Sequence, residues 1–435
     1  METEQEHIEP TGVDKNSLPE FNTDLLKIYY SRLFPYQQFY DWLSYTHDPI
    51  DKELEEKGVT DPAFCRREFS FTLENDIYLR YLSFNDAEGL KKEMVSRLPI
   101  KMDLGAIYNL PPRSRQTVQS SVFEPIEREL IFDIDLTDYD EVRTCCKEGN
   151  ICLKCWKFCV VAVHILERIL KEEFGFKHIL CIYSGRRGIH MWVCDKRARQ
   201  LTDRERKCIL NYISITIQTN KQMENEDSLP FPPTPSIVQS FNLCEQYFTN
   251  DFLSVSNMAL FDSFSLPDTG KQRLDTIMKL IDSNCLSFQE RDGILSMLKE
   301  TGINGKEKWL RLKSLLMSID LSNKTKRLDP KAIHKYMSAY YILFYYVYPR
   351  IDTNVSVARN HLLKSMFCIH PKTGKVCIPI AIDQIDTFNP LTVPTLSSLI
   401  QELDNYNGDP SIDDLHKTSL GQYVDLFETE FIQHL

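Results

Sequence analysis

A short run of β-forming residues that carries two acidic side chains constrains the fold more than any other feature. Residues 128–136, RELIFDIDL, predict a strand in which Asp133 and Asp135 occupy alternate positions. Such side chains share one face of the strand, with their Cβ atoms about 6.5–7 Å apart. Two carboxylates at this spacing can hold a pair of divalent ions, as in two-metal phosphoryl transfer. The alternative is an exposed strand end that leads into the acidic loop of residues 137–140.

A glycine-flanked arginine pair predicts a site for phosphate. The segment SGRRGIH, residues 184–190, joins two predicted strands, 178–184 and 189–195. Glycine permits positive φ and close approach of the backbone, and guanidinium groups match phosphate oxygens. His190 and Trp192 are expected on the outward face of the second strand. The alternative is a solvated hairpin tip, which is a common use of Gly-Arg turns.

Four cysteines shortly after the acidic strand indicate a metal site. A CC pair and a CxxC pair bring together four thiols that satisfy tetrahedral zinc: Cys145, Cys146, Cys152 and Cys155. Because protein would fill all four positions, the zinc should be structural. The acidic, polar N-terminus has no signal-peptide features, so we expect reduced thiols and no disulfide framework. The alternative is four free structural cysteines, and the other nine cysteines are interpreted as core or surface thiols.

Three polar residues far downstream complete the set of candidate site residues. They lie in the segments PRIDTNVS (349–356), HLLKS (361–365) and IHPKTG (369–374). Each of them alone is unremarkable in a protein of this size. Together, Asp352 could supply a third carboxylate, and Lys364 and His370 could supply cationic or donor groups for a triphosphate.

Apolar periodicity in the first half of the chain predicts an α+β (mixed α/β) fold. The alternating runs 67–73 and 77–82 predict a hairpin with one buried face, and Glu68 and Arg80 point away from that face toward a possible site. Further elements are predicted at residues 86–98 (helix), 100–108 (strand, carrying Asp103) and 156–174 (helix, ended by Gly175).

The pattern becomes helical after about residue 200. Helices are predicted at residues 203–220, 236–250, 271–300, 306–320 and 330–348, and β-like segments return at 354–357, 367–369 and 376–380. We therefore expect five regions: an acidic polar tail (1–20), a catalytic core (21–200 and 330–410), a zinc module within it (about 140–160), a helical insert (200–330) and a C-terminal segment (411–435).

The charge balance restricts the function only weakly. The formal net charge is −11, whereas nucleic-acid binders are usually basic. Local clusters such as Lys324–Arg327 and the arginine pair could still make positive sites on an acidic body. No stretch approaches 18 consecutive apolar residues, so no membrane span and an intracellular protein are expected.

With these motifs in view, the chain resembles the small catalytic subunit of archaeal and eukaryotic primases, especially the eukaryotic one. The similarity lies in five segments that occur in the family's order: REFSFTLENDIYLRY (67–81), ELIFDIDLTDYDEVRTCC (129–146), CLKCW (152–156), FGFKHILCIYSGRRGIHMWVCD (174–195) and PRIDTNVSVARNHLLKSMFCIHPKTG (349–374). Their joint presence is specific to this family. Residues 197–330 are at best weakly similar.

The resemblance implies a primase core in which a small RRM-like sheet carries the catalytic residues, with a zinc module and a helical subdomain attached. It implies that Asp133, Asp135 and Asp352 hold two Mg²⁺ or Mn²⁺ ions, with Glu68 nearby as a further catalytic residue. The four cysteines match the ligands of one structural Zn²⁺. The positions that match nucleotide-binding residues are Ser184, Arg186, Arg187, Gly188, His190, His361, Lys364, His370, Arg80 and Asp103.

The resemblance also implies an activity and a setting. The expected activity is synthesis of short RNA primers on single-stranded DNA from ribonucleoside triphosphates. The expected partners are the primase large subunit with its iron–sulfur cluster and the catalytic and accessory subunits of DNA polymerase α, within a nuclear primosome.

Two alternatives remain open. One is a related primase-polymerase that uses deoxynucleotides in repair or damage tolerance. The cysteine loop directly after the acidic strand favours the replicative subunit over this enzyme. The other is a non-catalytic scaffold subunit, which the presence of all three aspartates disfavours.

Overall fold

The computed structural model describes residues 21–46, 48, 62–215, 229–254, 258–262, 269–318 and 329–435. The predicted acidic tail (residues 1–20) and the basic cluster Lys324–Arg327 lie outside these residues.

Two antiparallel sheets form the centre of the fold. The first has the strand order β2-β1-β3-β4, with β8 also paired to β3, and the second has the order β5-β7-β6-β9. The strands are β1 (Arg67–Thr72), β2 (Tyr78–Leu82), β3 (Lys101–Tyr108), β4 (Pro125–Glu127), β5 (Leu130–Asp135), β6 (Ile179–Tyr183), β7 (Gly188–Val193), β8 (Leu363–Lys364) and β9 (Pro379–Ile380). The prediction of an α+β fold is confirmed.

The predicted hairpin is present as β1 and β2, but its faces differ from the expected pattern. A β-bulge places Arg80 and Tyr81 of β2 opposite Ser70 of β1. Since β1 lies between two other strands, Glu68 and Ser70 are as fully buried as the apolar residues beside them. The expectation of a single buried face was therefore wrong for β1, because Glu68 is covered by its contacts with Arg80 and Tyr108.

The second sheet positions the paired aspartates. Asp133 of β5 lies opposite His190 of β7, and Asp135 lies opposite Gly188. The expectation that His190 and Trp192 face outward was wrong, because both are buried. Trp192 packs edge-on against Trp42, with their ring centroids 5.5 Å apart. An apolar neighbour from the N-terminal helices therefore covers this face.

Helices surround the sheets and form more than half of the described residues after residue 195. They are α1 (Thr23–Ile28), α2 (Tyr36–Ser44), α3 (Ala63–Arg66), α4 (Ala87–Arg97), α5 (Leu153–Arg168), α6 (Lys196–Arg199), α7 (Asp203–Ile213), α8 (Pro235–Tyr247), α9 (Thr269–Ile281), α10 (Phe288–Lys299), α11 (Gly305–Leu316), α12 (Pro330–Val347), α13 (Thr353–Val357), α14 (Leu396–Asp404) and α15 (Gly421–Glu430). None of these helices is long and apolar enough to cross a membrane.

Local signals account for several helix ends. Asp86 accepts a hydrogen bond from the Gly89 amide at 2.7 Å and so caps α4. Gly175, at φ +66°, follows the π-helical turn that extends α5. Residues 271–300 were expected to form one helix, but α9 ends before Asp282, whose φ is +59°, and Ser287 caps a separate α10. This difference follows from a left-handed residue that apolar periodicity does not reveal.

The helices after residue 200 share one apolar core. Helices α8, α9 and α11 pack against α12. Phe248 contacts both Trp309 and Tyr346, at centroid distances of 5.3 and 5.9 Å. The core of the expected helical insert therefore includes the aromatic helix that starts at Pro330.

The β-like segments predicted near the C-terminus have mixed outcomes. Residues 354–357 are helical, because the Asp352 carboxylate accepts a hydrogen bond from the Asn354 amide at 2.9 Å and caps α13. That prediction was wrong. Ile369 and Val376 form an isolated β-bridge, and Pro379 begins β9.

Candidate active site

A cleft of about 330 Å³ opens between the two sheets, over the ends of β5 and β7. It brings together nine of the residues predicted from sequence for the site: Asp133, Asp135, Ser184, Arg186, Arg187, Gly188, His190, Lys364 and His370. The second sheet supplies most of them. Lys364 arrives on β8 of the first sheet, so the cleft needs both sheets.

The paired aspartates form the acidic wall of the cleft. Burial, together with the neighbouring carboxylates of Asp135 and Asp352, raises the pKa of Asp133 to about 7. Asp135 is held by hydrogen bonds from the amide and hydroxyl of Thr137, at 2.9 and 2.8 Å. Carboxylates that repel one another in this way are suitable ligands for divalent cations that prefer oxygen, since a bound cation would relieve the repulsion.

The late aspartate lies beside this pair. The amide of Asp352 donates to the carbonyl of Asp133 at 3.1 Å, so the start of α13 is joined to β5 through the main chain. The Asp352 side chain is exposed, and its carboxylate raises the pKa values of both Asp133 and Asp138. Three carboxylates from two distant parts of the chain therefore converge at one edge of the cleft.

The Ser184–Gly188 turn is rigidly held. Gly185 has φ +83°, and a Cβ at Gly188 would lie 2.2 Å from the carbonyl oxygen of Ile134, so both positions require glycine. The Ser184 hydroxyl accepts from the Gly188 amide at 3.1 Å. Arg187 reaches back to the acidic wall, with Nε 2.8 Å from Oδ2 of Asp135.

The segment that carries Lys364 and His370 forms the opposite wall. The ammonium of Lys364 donates to the carbonyl of Ser184. Thr373 donates from its hydroxyl to the Gly185 carbonyl at 2.7 Å. These bonds join the arginine turn to the downstream segment, although the two are far apart in the sequence.

Both histidines of the cleft are neutral at physiological pH. Burial, and then the ammonium of Lys364, lowers the pKa of His370 and of His190 to about 3. The Nδ1 atom of His370 accepts from the Lys372 amide at 3.2 Å, so its proton lies on Nε2 and can be donated. His190 lies with Nε2 3.6 Å from Oδ1 of Asp133.

Five of the predicted residues do not line this cleft: Glu68, Arg80, Asp103, His361 and Asp352. Glu68 is fully buried and forms an ion pair with Arg80, with Oε1 2.9 Å from Nε. It also accepts from the Tyr108 hydroxyl at 3.1 Å. The Glu68–Arg80 pair therefore belongs to the first sheet and is not part of the cleft lining.

Asp103 and His361 are close enough to influence each other's pKa, and neither lines the cleft. Asp103 is the β3 residue opposite Lys364 of β8, and the Ser70 hydroxyl donates to it at 3.3 Å. Burial raises the pKa of Asp103, and the nearby charges of Lys101, Lys364 and His361 oppose the shift. Asp103 is thus next to a residue of the cleft without reaching its surface.

Three charged residues at the site were not predicted from the sequence. Lys101 and Lys372 line the cleft, and Asp138 lies near Asp135 and Asp352, which raise its pKa together with burial. Lys101 is two residues before Asp103 on the same strand, so the period of two could have identified it. Nothing local distinguishes Lys372 from a solvated lysine in a turn.

The four predicted cysteines form a second cluster next to the cleft. The sulfur atoms of Cys145, Cys146, Cys152 and Cys155 lie within 4.8 Å of one another. A hydrogen bond from Cys145 is the main cause that lowers the pKa of Cys155 to about 5. Four converging sulfurs, one of them readily ionised, fit a tetrahedral zinc ion. The loop that they close packs its Gly149 against the guanidinium of Arg186.

Comparisons with known proteins agree with this arrangement. The family model described as DNA primase small subunit matches residues 132–382. A DNA primase small subunit of Drosophila melanogaster is 36% identical over 444 residues, covering 96% of this chain and 92% of its own length. Counterparts from Schizosaccharomyces pombe (40% identical; 86% of this chain and 77% of theirs) and Saccharomyces cerevisiae (31%; 93% and 90%) carry the same description.

Proposed function

The chain belongs to the DNA primase small subunit family, and on that basis we propose that its cleft synthesises short RNA primers on single-stranded DNA by two-metal-ion nucleotidyl transfer. The observation that carries the proposal is the convergence of Asp133, Asp135 and Asp352 beside a cleft lined with arginine, lysine and histidine. This combination suits a reaction that joins a hydroxyl group to a triphosphate.

The three aspartates would hold the catalytic cations, two Mg²⁺ or Mn²⁺ ions. When bound, such ions lower the pKa of the attacking 3′-hydroxyl and neutralise the departing pyrophosphate. The chain's own contribution is to fix the ligands in place: Thr137 orients Asp135, and the main-chain bond to Asp133 anchors Asp352. Glu68 would act from outside the cleft lining by holding Arg80.

The cationic wall would bind the nucleoside triphosphate. Arg186 and Arg187 present guanidinium groups from a rigid turn, and Lys364 adds an ammonium from β8. His370 would donate from Nε2 without adding charge, because it is neutral. Ser184, Gly188, His190, His361 and Asp103 would complete the nucleotide site. Donors fixed before the substrate arrives stabilise the charge that develops on the pyrophosphate.

The family implies a primase complex with partner subunits and a DNA template. We propose the primase large subunit with its iron–sulfur cluster, the catalytic and accessory subunits of DNA polymerase α, and a nuclear location within a primosome. We further propose that the helical region is a subdomain attached to the catalytic core, since buried residues of both belong to one hydrophobic cluster.

A direct assay tests the proposed activity. The purified chain is incubated with poly(dT), ATP and Mn²⁺, and short RNA products are expected. A parallel reaction with a deoxynucleotide in place of ATP separates the replicative primase from a primase-polymerase that prefers deoxynucleotides. The absence of any product from either nucleotide would favour the scaffold alternative.

Arg187→Ala is expected to raise the KM for ATP by about ten- to a hundredfold, the effect of losing one charge-assisted hydrogen bond of about 1.5–3 kcal/mol. Because Arg187 also pairs with Asp135, kcat should fall as well. Steady-state primer synthesis measures both constants. Arg97→Ala is the matched control, since Arg97 pairs with Glu93 on the surface of α4. An unchanged KM for Arg187→Ala would contradict its role in the nucleotide site.

Cys155→Ser is expected to remove the proposed structural zinc. The variant keeps only three of the four thiols, and it loses the thiol whose pKa is lowered by the hydrogen bond from Cys145. Metal analysis of the purified protein should show a loss of one zinc per chain. Cys208→Ser, at an exposed cysteine of α7, should retain it. Equal zinc content in the two variants would rule out the four-cysteine site.

A further inference from the structure

Lys101 is a charged residue of the cleft wall that is not among the site residues predicted from the sequence. It is the first residue of β3, opposite Thr72 of β1, and its side chain is exposed. The cleft surface that it contributes to also contains Lys364 and His370. Its backbone is therefore fixed by a strand, and its side chain faces the space where the nucleotide is proposed to bind.

The ammonium of Lys101 has no partner in the described part of the chain. Arg187 is paired with Asp135, and Lys364 donates to the Ser184 carbonyl. In contrast, Lys101 makes no hydrogen bond and no ion pair with any described residue. Its charge is nevertheless felt in the cleft, since it contributes to the lowered pKa of His370 and opposes the raised pKa of Asp103.

We propose that the Lys101 ammonium binds the phosphate oxygens of the nucleoside triphosphate, a role that rests on the function proposed above. Lysine carries three N–H donors and a full charge on a flexible stem, and it binds phosphate as a point charge. In Lys101 all three donors are available, whereas those of its neighbours are partly used within the protein. The acidic wall of the cleft has the opposite property. Without bound cations, its carboxylates would repel the negatively charged phosphates.

The position of Lys101 distinguishes a nucleotide ligand from a template ligand. Lys101 shares its wall with Lys364 and His370 and influences both His370 and Asp103 electrostatically. A residue that served mainly the DNA backbone would be expected in a longer basic groove that follows the strand, whereas Lys101 lines a confined cleft of about 330 Å³. We therefore assign Lys101 to the nucleotide, with template binding as the outcome that would overturn this assignment.

The test compares Lys101→Met with Lys92→Met in the full chain. Methionine keeps an unbranched stem and removes the charge, and Lys92 is an exposed lysine of α4 away from the cleft. We expect Lys101→Met to raise the KM for ATP about ten- to a hundredfold on poly(dT), as for the loss of one charged hydrogen bond. Its kcat and the Kd for poly(dT), measured by fluorescence anisotropy, should change less than about twofold. Lys101→Arg should recover most of the KM, and Lys92→Met should behave as the wild type.

An unchanged KM for ATP would overturn the proposal, and a weaker Kd for poly(dT) in the same variant would then assign Lys101 to the template. The Arg187→Ala variant separates this failure from a failure of the proposed function. If Arg187→Ala raises the KM and Lys101→Met does not, only the role of Lys101 is wrong. If neither variant changes the KM, the cleft is not the nucleotide site.

Discussion

Asp133→Asn is expected to reduce primer synthesis by at least about 1000-fold, which corresponds to roughly 4 kcal/mol of lost transition-state stabilisation. The substitution keeps the size of the side chain and removes one of three converging carboxylates. The affinity for catalytic Mn²⁺ should fall with it. The change can be followed by RNA product formation on poly(dT) and by Mn²⁺ titration.

The same variant should fold normally. Asp133 is half-buried near two other acids, so its charge is costly in the metal-free protein, and the thermal midpoint should be equal to or higher than that of the wild type. Asp76→Asn is the matched control, because Asp76 is an exposed turn residue at φ +57°, a conformation that asparagine tolerates. Full activity in Asp133→Asn would contradict the assignment of this residue to the metal site.

Glu129→Gln is expected to destabilise the fold by about 3–5 kcal/mol. Glu129 is fully buried beside Arg67, with Oε1 2.6 Å from Nη2, and it also accepts from the Tyr45 hydroxyl at 2.6 Å. Removing its charge would leave Arg67 and Arg128 buried without a counterion. Chemical denaturation followed by circular dichroism measures the loss.

A surface pair provides the control for this prediction. Glu93→Gln removes the partner of Arg97, a contact of 2.5 Å in which both side chains are more than one-third exposed. Exposed ion pairs contribute about 0–1 kcal/mol, so this variant should be close to the wild type. Equal stability of the two variants would show that burial of the Arg67–Glu129 pair has no energetic consequence.

The buried glutamate also predicts a dependence of stability on pH. Burial tends to raise the pKa of Glu129, but the charges of Arg67 and Arg128 outweigh it and hold the pKa well below the ordinary value. A lowered pKa in the folded state gives stability that is present above the unfolded pKa, about 4.3, and is lost as the pH falls below it. This contribution should be absent from Glu129→Gln.

The acidic strand was predictable because its signal is local. Residues 130–135 combine β-forming side chains with an i, i+2 spacing of carboxylates, and the structure keeps both features in β5. The Ser184–Gly188 turn was predictable for the same reason, since its glycines meet real steric requirements. Convergence of Asp352 on this strand was accessible only through the family resemblance, since no local pattern specifies a contact between such distant positions.

The errors arose where tertiary packing or a single backbone angle overrides periodicity. Alternation placed Glu68 and Trp192 on open faces, yet other strands and helices cover both residues. Residues 354–357 have β-forming side chains, but the cap supplied by Asp352 starts a helix there. The positive φ of Asp282 divides a segment whose apolar periodicity predicts one continuous helix.

The main-chain hydrogen bond between Asp352 and Asp133 affects which insertions and deletions the sequence can tolerate during evolution. The polypeptide leaves the sheet after β7, makes a long, largely helical excursion and returns at a point fixed by this bond and by hydrogen bonds of Arg350 with Asp138 and Tyr139. Insertions or deletions within that excursion can accumulate without moving the acidic residues. A single proteolytic nick in the excursion should likewise leave both fragments associated around an intact cleft.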